Sequence, residues 1–287
     1  MNVVRTIEHV RRSVGQAVTE GKAVGLVPTM GALHEGHFSL IETARTQTDF
    51  VVVSIFVNPT QFGANEDLSN YPNTPEADLA ACEQRGVDLV FSPHAEAMYP
   101  SGSLTEVTVR QLSETLCGRQ RPGHFDGVCT VVAKLLNIVR PEKAYFGAKD
   151  FQQSVLVRRM VRDLNLPVEI VVCPIIREAD GLAMSSRNAY LTPLQRRQAA
   201  ELSRSLRLGQ EMIRKRHPAS EEVIAAIGEH LSGNAPDGEV DYIQIVDPER
   251  LTDVERTDAP VVIALAVRFG AARLIDNMLV DSRGGGS

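Results

Sequence analysis

The stretch Leu26–Leu40 reads LVPTMGALHEGHFSL and combines three features that decide the fold around it. An apolar run leads to Val27, and Pro28 is expected to end a strand there. Gly31 and Gly36 bracket a short turn, and the apolar spacing after the turn predicts a helix. A buried strand, a glycine-containing loop and a helix N-terminus together suit an anion such as phosphate, because unpaired N–H groups and the helix dipole both favour negative charge.

His34 and His37 stand at this helix entrance, and three interpretations of them compete. The spacing from Gly31 to Gly36 matches the start of a Walker A loop, but a histidine and a phenylalanine follow where that loop needs Lys and Ser/Thr. A zinc site needs further ligands at a recognised spacing, and HEGH is not HExxH. The third interpretation is a resemblance to the HxGH signature of the nucleotidyl-transferring α/β-phosphodiesterase group. Two structural histidines beside a turn are the ordinary alternative.

The segments that follow alternate between strand and helix patterns. Residues 50–57, FVVVSIFV, are a near-continuous apolar run, typical of a parallel strand covered on both faces. A helix is predicted over 74–85 with Thr74 as its cap, and a strand over 87–92. This alternation predicts an α/β fold with a doubly wound (Rossmann-like) parallel sheet. Ligands of such sheets lie beyond the carboxyl ends of the strands, where Asn58 and the polar residues of the opening loop fall.

The middle of the chain repeats the opening design. After a turn-rich region with a predicted strand at 105–109, a long helix ends at Arg140 and Pro141. A short strand over 143–146 then leads into a small loop and another helix, now with a lysine in the loop. The segment 168–176, VEIVVCPII, is predicted to close the sheet.

The composition shifts near residue 177. Two charged amphipathic helices, predicted over 193–216 and 219–231, precede three apolar strands joined by short turns. We therefore expect residues 1–176 to form the Rossmann-like domain and 177–282 a smaller C-terminal α+β domain. The glycine-rich residues 283–287 are expected to be a flexible tail.

Composition and charge narrow the functional class. The chain has 287 residues, of which 43% are hydrophobic and 23% charged, as is ordinary for a soluble globular protein. Its formal net charge of −6 argues against a general nucleic-acid surface. The four cysteines contain no CxxC, which argues against a disulfide framework and a zinc ribbon, and no protein-bound metal is predicted. No signal-peptide core or membrane-length apolar run is visible, so we expect a cytoplasmic protein with no membrane partner.

Five segments in this order and spacing resemble the pantothenate synthetase (pantoate–β-alanine ligase) family: VPTMGALHEGHFSL, SIFVNPTQF, GRQRPGHFDGV, YFGAKDFQQ and PIIREADGLAMSSRNAYL. The resemblance spans most of residues 25–192. It implies an ATP-dependent enzyme that condenses pantoate with β-alanine through pantoyl adenylate, releasing AMP and pyrophosphate. It also implies that 1–176 binds ATP and pantoate, that 177–282 acts as a lid, and that the protein is a homodimer. ATP chemistry in general implies Mg²⁺.

The resemblance also assigns residues. His37 takes the catalytic role, with His34 beside it as a second donor to phosphate oxygens. Gln61 and Gln153 match the two glutamines that bind pantoate, and Gln61 also β-alanine; each amide offers a donor and an acceptor, although a solvated glutamine is the ordinary alternative. The residues implied to bind ATP lie in separate segments of the chain: Met30, Gly31, Ala32, Leu33, His34, Glu35, Gly36, His37, Gly147, Ala148, Lys149, Asp150, Ile176, Met184, Ser185, Ser186 and Arg187.

Three functions remain open at this point. One is the AMP-forming ligase, the second a nucleotidyltransferase that leaves the nucleotide on its product, and the third a non-catalytic nucleotide-binding module. Lys149 and Arg187 lie far apart in sequence yet both suit phosphate oxygens, which argues against a module that only binds. The two glutamines favour the ligase through the resemblance. Arg119 and Arg121 flank a loop that either covers the site or carries solvated charges.

Overall fold

The computed structural model describes residues 1–63 and 66–281, and this part of the chain forms two compact units that are each assembled from several segments. The first unit comprises Met1–Glu114, Gly118–Ala148 and Gln153–Pro174. The second comprises Thr115–Cys117, Lys149–Gln152 and the described chain from Ile175. The predicted domain boundary after residue 176 stays a prediction, and the predicted tail 283–287 lies outside the described residues.

The elements alternate along the first half of the chain and segregate in the second. The strands are β1 (Asn2–Val4), β2 (Val24–Thr29), β3 (Phe50–Ile55), β4 (Leu89–Phe91), β5 (Lys143–Gly147), β6 (Glu169–Cys173), β7 (Glu239–Val246), β8 (Val261–Phe269) and β9 (Ala272–Val280). The α-helices are α1 (Ile7–Thr19), α2 (Glu35–Gln47), α3 (Pro75–Gln84), α4 (Ala95–Met98), α5 (Leu116–Gln120), α6 (His124–Val139), α7 (Phe151–Asp163), α8 (Pro193–Ala199), α9 (Glu201–Arg216) and α10 (Ser220–Asn234). Short 3₁₀ turns lie between them, among them Pro59–Gln61, Ala148–Asp150 and Ser186–Tyr190.

The first unit contains a parallel sheet with the strand order β1-β4-β3-β2-β5-β6, so the predicted doubly wound α/β fold is confirmed. The central strands β2 and β3 pair in register from Val24 opposite Phe50 to Thr29 opposite Ile55. Their carboxyl ends therefore lie side by side, and the loops that follow them begin at the same edge of the sheet. This is the edge at which such folds bind ligands.

The core of the first unit follows from the sequence pattern. Val27 of β2 and Val51 and Val53 of β3 are fully buried. They share a cluster with Ile41 and Ala44, which lie three residues apart on the inward face of α2. Each fully buried branched side chain contributes roughly 1.5–3 kcal/mol relative to exposure. The strand positions are thus specified by a buried apolar run on both faces, as parallel strands require.

The second unit contains a three-stranded antiparallel sheet with the order β7-β8-β9, which confirms the smaller C-terminal α+β fold. The middle strand β8 is buried at every position except Arg268. Leu206 and Ile213 of α9 and Ile227 of α10 pack in one cluster with this sheet. Helices α9 and α10 therefore each cover the sheet through one amphipathic face.

The strand predicted at 105–109 is wrong. Most of these residues are exposed, and the preceding Leu104 is 95% exposed. The Val107 N–H donates to the Thr130 hydroxyl at 2.9 Å instead of to a neighbouring strand. An alternating pattern produces a strand only where another strand can take up its backbone hydrogen bonds.

Two element ends also differ from the prediction. Strand β2 continues through Pro28 to Thr29 rather than ending at the proline. Its pairing with β5 reaches only Leu26, and proline is tolerated where the ladder on one side has ended. The helix predicted over 193–216 is interrupted at Ala200, whose N–H bonds to the Gln198 carbonyl two residues back instead of four.

Candidate active site

His34 and His37 cap the N-terminus of α2 reciprocally. The Nδ1 of His34 accepts a hydrogen bond from the Gly36 N–H at 3.1 Å, and the Nδ1 of His37 accepts one from the His34 N–H at 3.3 Å. A ring nitrogen that accepts carries no proton, so each imidazole is neutral with its proton on Nε2. The two ring centroids lie 4.2 Å apart. Two Nε2–H donors at a helix N-terminus form a suitable arrangement for phosphate oxygens.

Asp78 of α3 holds the loop between β2 and α2. Asp78 is 3% exposed, and its carboxylate accepts hydrogen bonds from the N–H groups of Ala32 and Leu33, both at 2.9 Å. Thr74, the predicted cap of α3, makes no capping bond and instead donates to the same carboxylate at 3.0 Å. The loop enters the left-handed region at Gly31 (φ 87°), where an added Cβ would lie 3.1 Å from Asp78 Oδ2. The conformation of the loop between β2 and α2 therefore depends on a carboxylate that is distant in sequence but adjacent in space.

Gln61 lies beside Met30, the first residue of the predicted ATP segment. Its Nε2 is 3.1 Å from the Met30 Sδ, and its Oε1 accepts from the Asn58 side chain at 3.2 Å. Asn58 is 1% exposed and also donates to the Gly127 carbonyl at 3.1 Å. The structure thus brings the predicted pantoate-binding glutamine together with the predicted nucleotide loop.

The segment at the start of α6 is bonded to the backbone of Gln61. The Nδ1–H of His124 donates to the Gln61 carbonyl at 2.7 Å, and Arg121 donates to the same oxygen at 3.3 Å. Arg121 also donates two hydrogen bonds of 2.6 Å to the Glu66 carboxylate. Burial by itself raises the pKa of Glu66, but the hydrogen bonds and charge of Arg121 together bring that pKa below its ordinary value. Arg121 is therefore a paired, part-buried cation, whereas Arg119 is exposed.

The second unit contains the other predicted cations. Lys149 and Asp150 lie in the 3₁₀ turn before α7, and the Lys149 carbonyl accepts a hydrogen bond from the Asn277 side chain at 2.9 Å. Gln152 is buried and bonds to the backbone of Cys117 (3.0 Å) and Thr115 (2.7 Å). The turn that carries Lys149 is thus fixed through its main chain. Gln153, the other predicted pantoate ligand, is a half-buried residue of α7 in the first unit.

A short hairpin brings Ile176 and Met184 together. The Met184 N–H donates to the Ile176 carbonyl at 3.0 Å, and Arg177 pairs with Ala183 as an isolated antiparallel bridge. Ser185 then caps the next turn, because its hydroxyl accepts a hydrogen bond from the Arg187 N–H at 3.3 Å. Two predicted ATP segments that are separate in sequence are therefore one structural feature.

Within residues 1–63 and 66–281, no group of three or more His, Cys, Asp or Glu side chains could hold a metal ion. The same part of the chain contains no helix with both the length and the apolarity needed to cross a membrane. The four cysteines are free thiols, and burial raises the pKa of Cys82 to about 11 and that of Cys129 to about 12.

The sequence model of the family described as Pantoate-beta-alanine ligase matches residues 2–279. The chain belongs to this family. It is therefore an enzyme of the ligase class, and the resemblance predicted from the five segments is confirmed. It is 51% identical to the pantothenate synthetase of Moorella thermoacetica, over 98% of this chain and 99% of the relative. It is also 51% identical to the enzyme of Thermotoga neapolitana, over 98% and 100% of the two chains.

Two solved structures extend this similarity to the fold. The pantothenate synthetase of Thermus thermophilus superposes with a TM-score of 0.91 at 46% identity, covering 97% of this chain and 99% of that one. The pantoate–β-alanine ligase of Francisella tularensis, solved in complex with β,γ-ATP and β-alanine, gives a TM-score of 0.79 at 36% identity, covering 97% of each chain. The parallel sheet and the smaller antiparallel sheet are thus shared with family members of known structure.

The roles of individual site residues stay predictions. The first unit brings His34 beside His37 and Gln61 beside Met30, and the second fixes the backbones around Lys149, Ile176 and Arg187. Sequence reasoning missed Asp78, because an acidic residue inside a helix carries no local sign of a partner in a distant loop. It also missed Asn277, which interrupts the buried apolar pattern of β9, and that interruption is a visible signal.

Proposed function

We propose that this chain uses ATP to join pantoate to β-alanine through a pantoyl-adenylate intermediate, releasing pyrophosphate and then AMP. The observation that carries the proposal is the reciprocal cap of His34 and His37. It keeps both rings neutral, with Nε2–H donors at the N-terminus of α2, where positive dipole and hydrogen-bond donors meet. Adenylation needs positioned donors for phosphate oxygens more than it needs covalent help from the protein.

The proposed reaction has two steps, and the bonds formed and broken in them balance without a further reactant. In the first, a pantoate carboxylate oxygen bonds to the α-phosphorus of ATP while the bond from that phosphorus to the bridging oxygen breaks and pyrophosphate leaves. In the second, the β-alanine amine nitrogen bonds to the acyl carbon, the bond from that carbon to the AMP oxygen breaks, and the nitrogen loses a proton. The paired histidines are proposed to stabilise the charge that develops on the phosphate oxygens in the first step.

Gln61 is proposed to hold pantoate and then β-alanine. Its amide group is oriented by Asn58, and its Nε2 lies against the Met30 sulfur, which is a weak acceptor. A carboxylate or hydroxyl oxygen of pantoate would be a stronger partner for this donor. Gln153 is proposed as the second pantoate ligand on the strength of the family motif alone.

The remaining predicted residues are proposed to bind ATP. Lys149 supplies a compact charge and Arg187 a planar guanidinium, and both suit phosphate oxygens. The Francisella tularensis relative was solved with an ATP analogue and β-alanine, which supports these two ligands for the family motif shared here. Among the described residues no acidic or histidine cluster forms a metal cage, so Mg²⁺ is proposed to enter with the ATP phosphates. The homodimer and the cytoplasmic location stay predictions.

Exchange of pyrophosphate into ATP tests the mechanism. If adenylation precedes amine attack, the first step runs backward, and labelled pyrophosphate enters ATP when pantoate is present and β-alanine is absent. A reaction without pantoate is the control, and it should show no exchange. ADP as the nucleotide product would contradict the adenylate. A nucleotide retained on the organic product would instead support the transferase alternative.

A further inference from the structure

Asp276 and Asn277 are consecutive polar residues on strand β9, and both are buried, with exposed fractions of 3% and 7%. β9 is an edge strand of the antiparallel sheet in the second unit, and pairs only with β8 in the order β7-β8-β9. These two polar side chains are adjacent and buried within a mostly apolar strand, and burying them costs free energy unless each has partners. The hydrogen-bond partners of Asp276 and Asn277 show which segments these two residues hold in place.

The Asp276 carboxylate bonds to Arg177, the residue after the predicted ATP contact Ile176. The guanidinium donates to Oδ2 at 2.6 Å and to Oδ1 at 2.9 Å, which is a bidentate pair. The same Arg177 donates to the Gly181 carbonyl at 3.0 Å, inside the hairpin that joins Ile176 to Met184. Asp276 therefore holds this hairpin through one arginine.

The Asn277 side chain bonds to a different segment. Its Nδ2 donates to the Lys149 carbonyl at 2.9 Å, across 128 residues of sequence. The backbone N–H of Asn277 donates to Asp276 Oδ1 at 2.8 Å, so the Asp276 carboxylate also holds the main chain of its neighbour. β9 also packs against the turn Ser186–Tyr190, which carries Arg187. A single strand thus contacts three segments that each carry a residue predicted to bind ATP.

We propose that Asp276 and Asn277 are positioning residues that set the places of Lys149 and the Ile176–Met184 hairpin for the phosphates of ATP. This inference rests on the proposed function, since it takes those segments to be nucleotide contacts. Neither residue itself touches the nucleotide in this proposal. Their effect is geometric, because charge-assisted contacts to phosphate weaken steeply when the donor backbone shifts.

If Asp276 and Asn277 only stabilised the sheet, replacing them would lower stability without a specific effect on ATP binding. Another charged pair of the same sheet, Arg273 with Asp241, has an Nε–Oδ2 distance of 2.6 Å, with side chains that are 15% and 17% exposed. That pair joins β9 to β7 and bonds to none of the predicted ATP residues. Asp241→Asn is therefore a control that removes a charged pair from the sheet while the bonds of Asp276 and Asn277 stay intact.

The test compares Asn277→Ala with Asp241→Asn in the full chain. Binding of a non-hydrolysable ATP analogue is measured by calorimetry, with the Michaelis constants for ATP and pantoate and the melting temperature beside it. We expect Asn277→Ala to weaken analogue binding and raise the Michaelis constant for ATP by on the order of 10-fold or more, with that for pantoate nearly unchanged. Asp241→Asn should lower the melting temperature while analogue binding stays at the wild-type level.

Equal analogue affinity in Asn277→Ala and wild type would overturn the inference while leaving the proposed function standing. Failure of the wild-type chain to bind the analogue would contradict the proposed function, and with it the inference. Asp276→Asn, which removes the charge opposite Arg177, should weaken analogue binding as Asn277→Ala does. If Asp276→Asn fails to fold, Asn277→Ala alone decides, since it leaves no buried charge unpaired.

Discussion

At the scale of a single residue, His34 combines a helix-capping bond with the proposed role of phosphate donor. Its Nδ1 satisfies a backbone N–H that the helix cannot satisfy internally, and this bond leaves the ring proton on Nε2. Capping and orientation of the imidazole are therefore one interaction. A substitution can separate the two functions only if the new side chain caps the helix without an imidazole, and asparagine does so.

We predict that His34→Asn and His34→Ala reduce turnover alike but differ in stability. Each loses the proposed phosphate donor, and loss of such a donor typically costs on the order of 100- to 1000-fold in rate. The alanine variant also loses the cap, which costs about 1 kcal/mol in the free energy of unfolding, whereas asparagine retains it. Steady-state rates and urea unfolding measure the two effects.

His94→Ala is the control for this pair. His94 also occupies the N-cap position of a helix, α4, but it makes no capping hydrogen bond and is exposed. Its replacement should leave both turnover and stability unchanged. Wild-type turnover in His34→Asn would show that the imidazole serves as a cap alone.

At the scale of elements, the approach of helix α6 to the turn Pro59–Gln61 places Gln61, the proposed pantoate ligand. Gly127 lies where the two meet, and a Cβ built on it would lie 2.5 Å from the Thr60 carbonyl oxygen. Only a residue without a side chain lets the helix backbone come this close. The position of Gln61 thus depends on a glycine inside a helix, where glycine is otherwise unfavourable.

We predict that Gly127→Ala destabilises the protein and weakens pantoate binding. The added methyl group must push the turn away, which costs about 1–3 kcal/mol, as overpacking generally does. Gly15→Ala in α1 is the matched control, because a Cβ there meets nothing within 4 Å. That variant should gain roughly 0.5–1 kcal/mol from helix propensity. Calorimetric unfolding and the Michaelis constant for pantoate measure the two effects. If Gly127→Ala gained as much stability as Gly15→Ala, the close approach of α6 to the Thr60 carbonyl would be contradicted.

At the scale of the whole molecule, stability should depend on pH through the ion pair of Glu66 and Arg121, whose side chains are 25% and 17% exposed. The pKa of Glu66 is lower in the folded protein than its ordinary value. The unfolded chain therefore binds this proton more tightly. The stabilisation is complete above the ordinary pKa and is lost as the pH falls through the lowered one.

We predict that Glu66→Gln lowers the free energy of unfolding at neutral pH and that its difference from wild type shrinks in acid. Urea unfolding at a series of pH values measures this difference. Glu20→Gln is the control, since Glu20 forms a fully exposed pair with Lys22 and should change stability little at any pH. A difference for Glu66→Gln that stays constant from neutral pH into acid would show that the ion pair does not contribute.

Local sequence patterns are sufficient to predict the strand–helix alternation, the HxGH loop and the two-part architecture. These features depend on local signals: apolar periodicity, turn glycines and residues at the ends of strands. The same signals wrongly predict a strand at 105–109, where the local pattern has no neighbouring strand. They also do not reveal β1, whose three residues form a strand by pairing with β4. Local pattern specifies an element only where its own residues bury enough surface.

The residues that hold the candidate site in place are identified by the folded structure and not by local patterns. Asp78 reaches N–H groups 45 and 46 residues earlier in the chain, and Asn277 reaches a carbonyl 128 residues away. No local preference marks Asp78, and the interruption of β9 at Asn277 does not reveal its partner, because a hydrogen bond depends on distance in space and not on distance in sequence. The sequence motifs therefore indicate the chemistry of this protein, whereas folding determines the geometry of its candidate site.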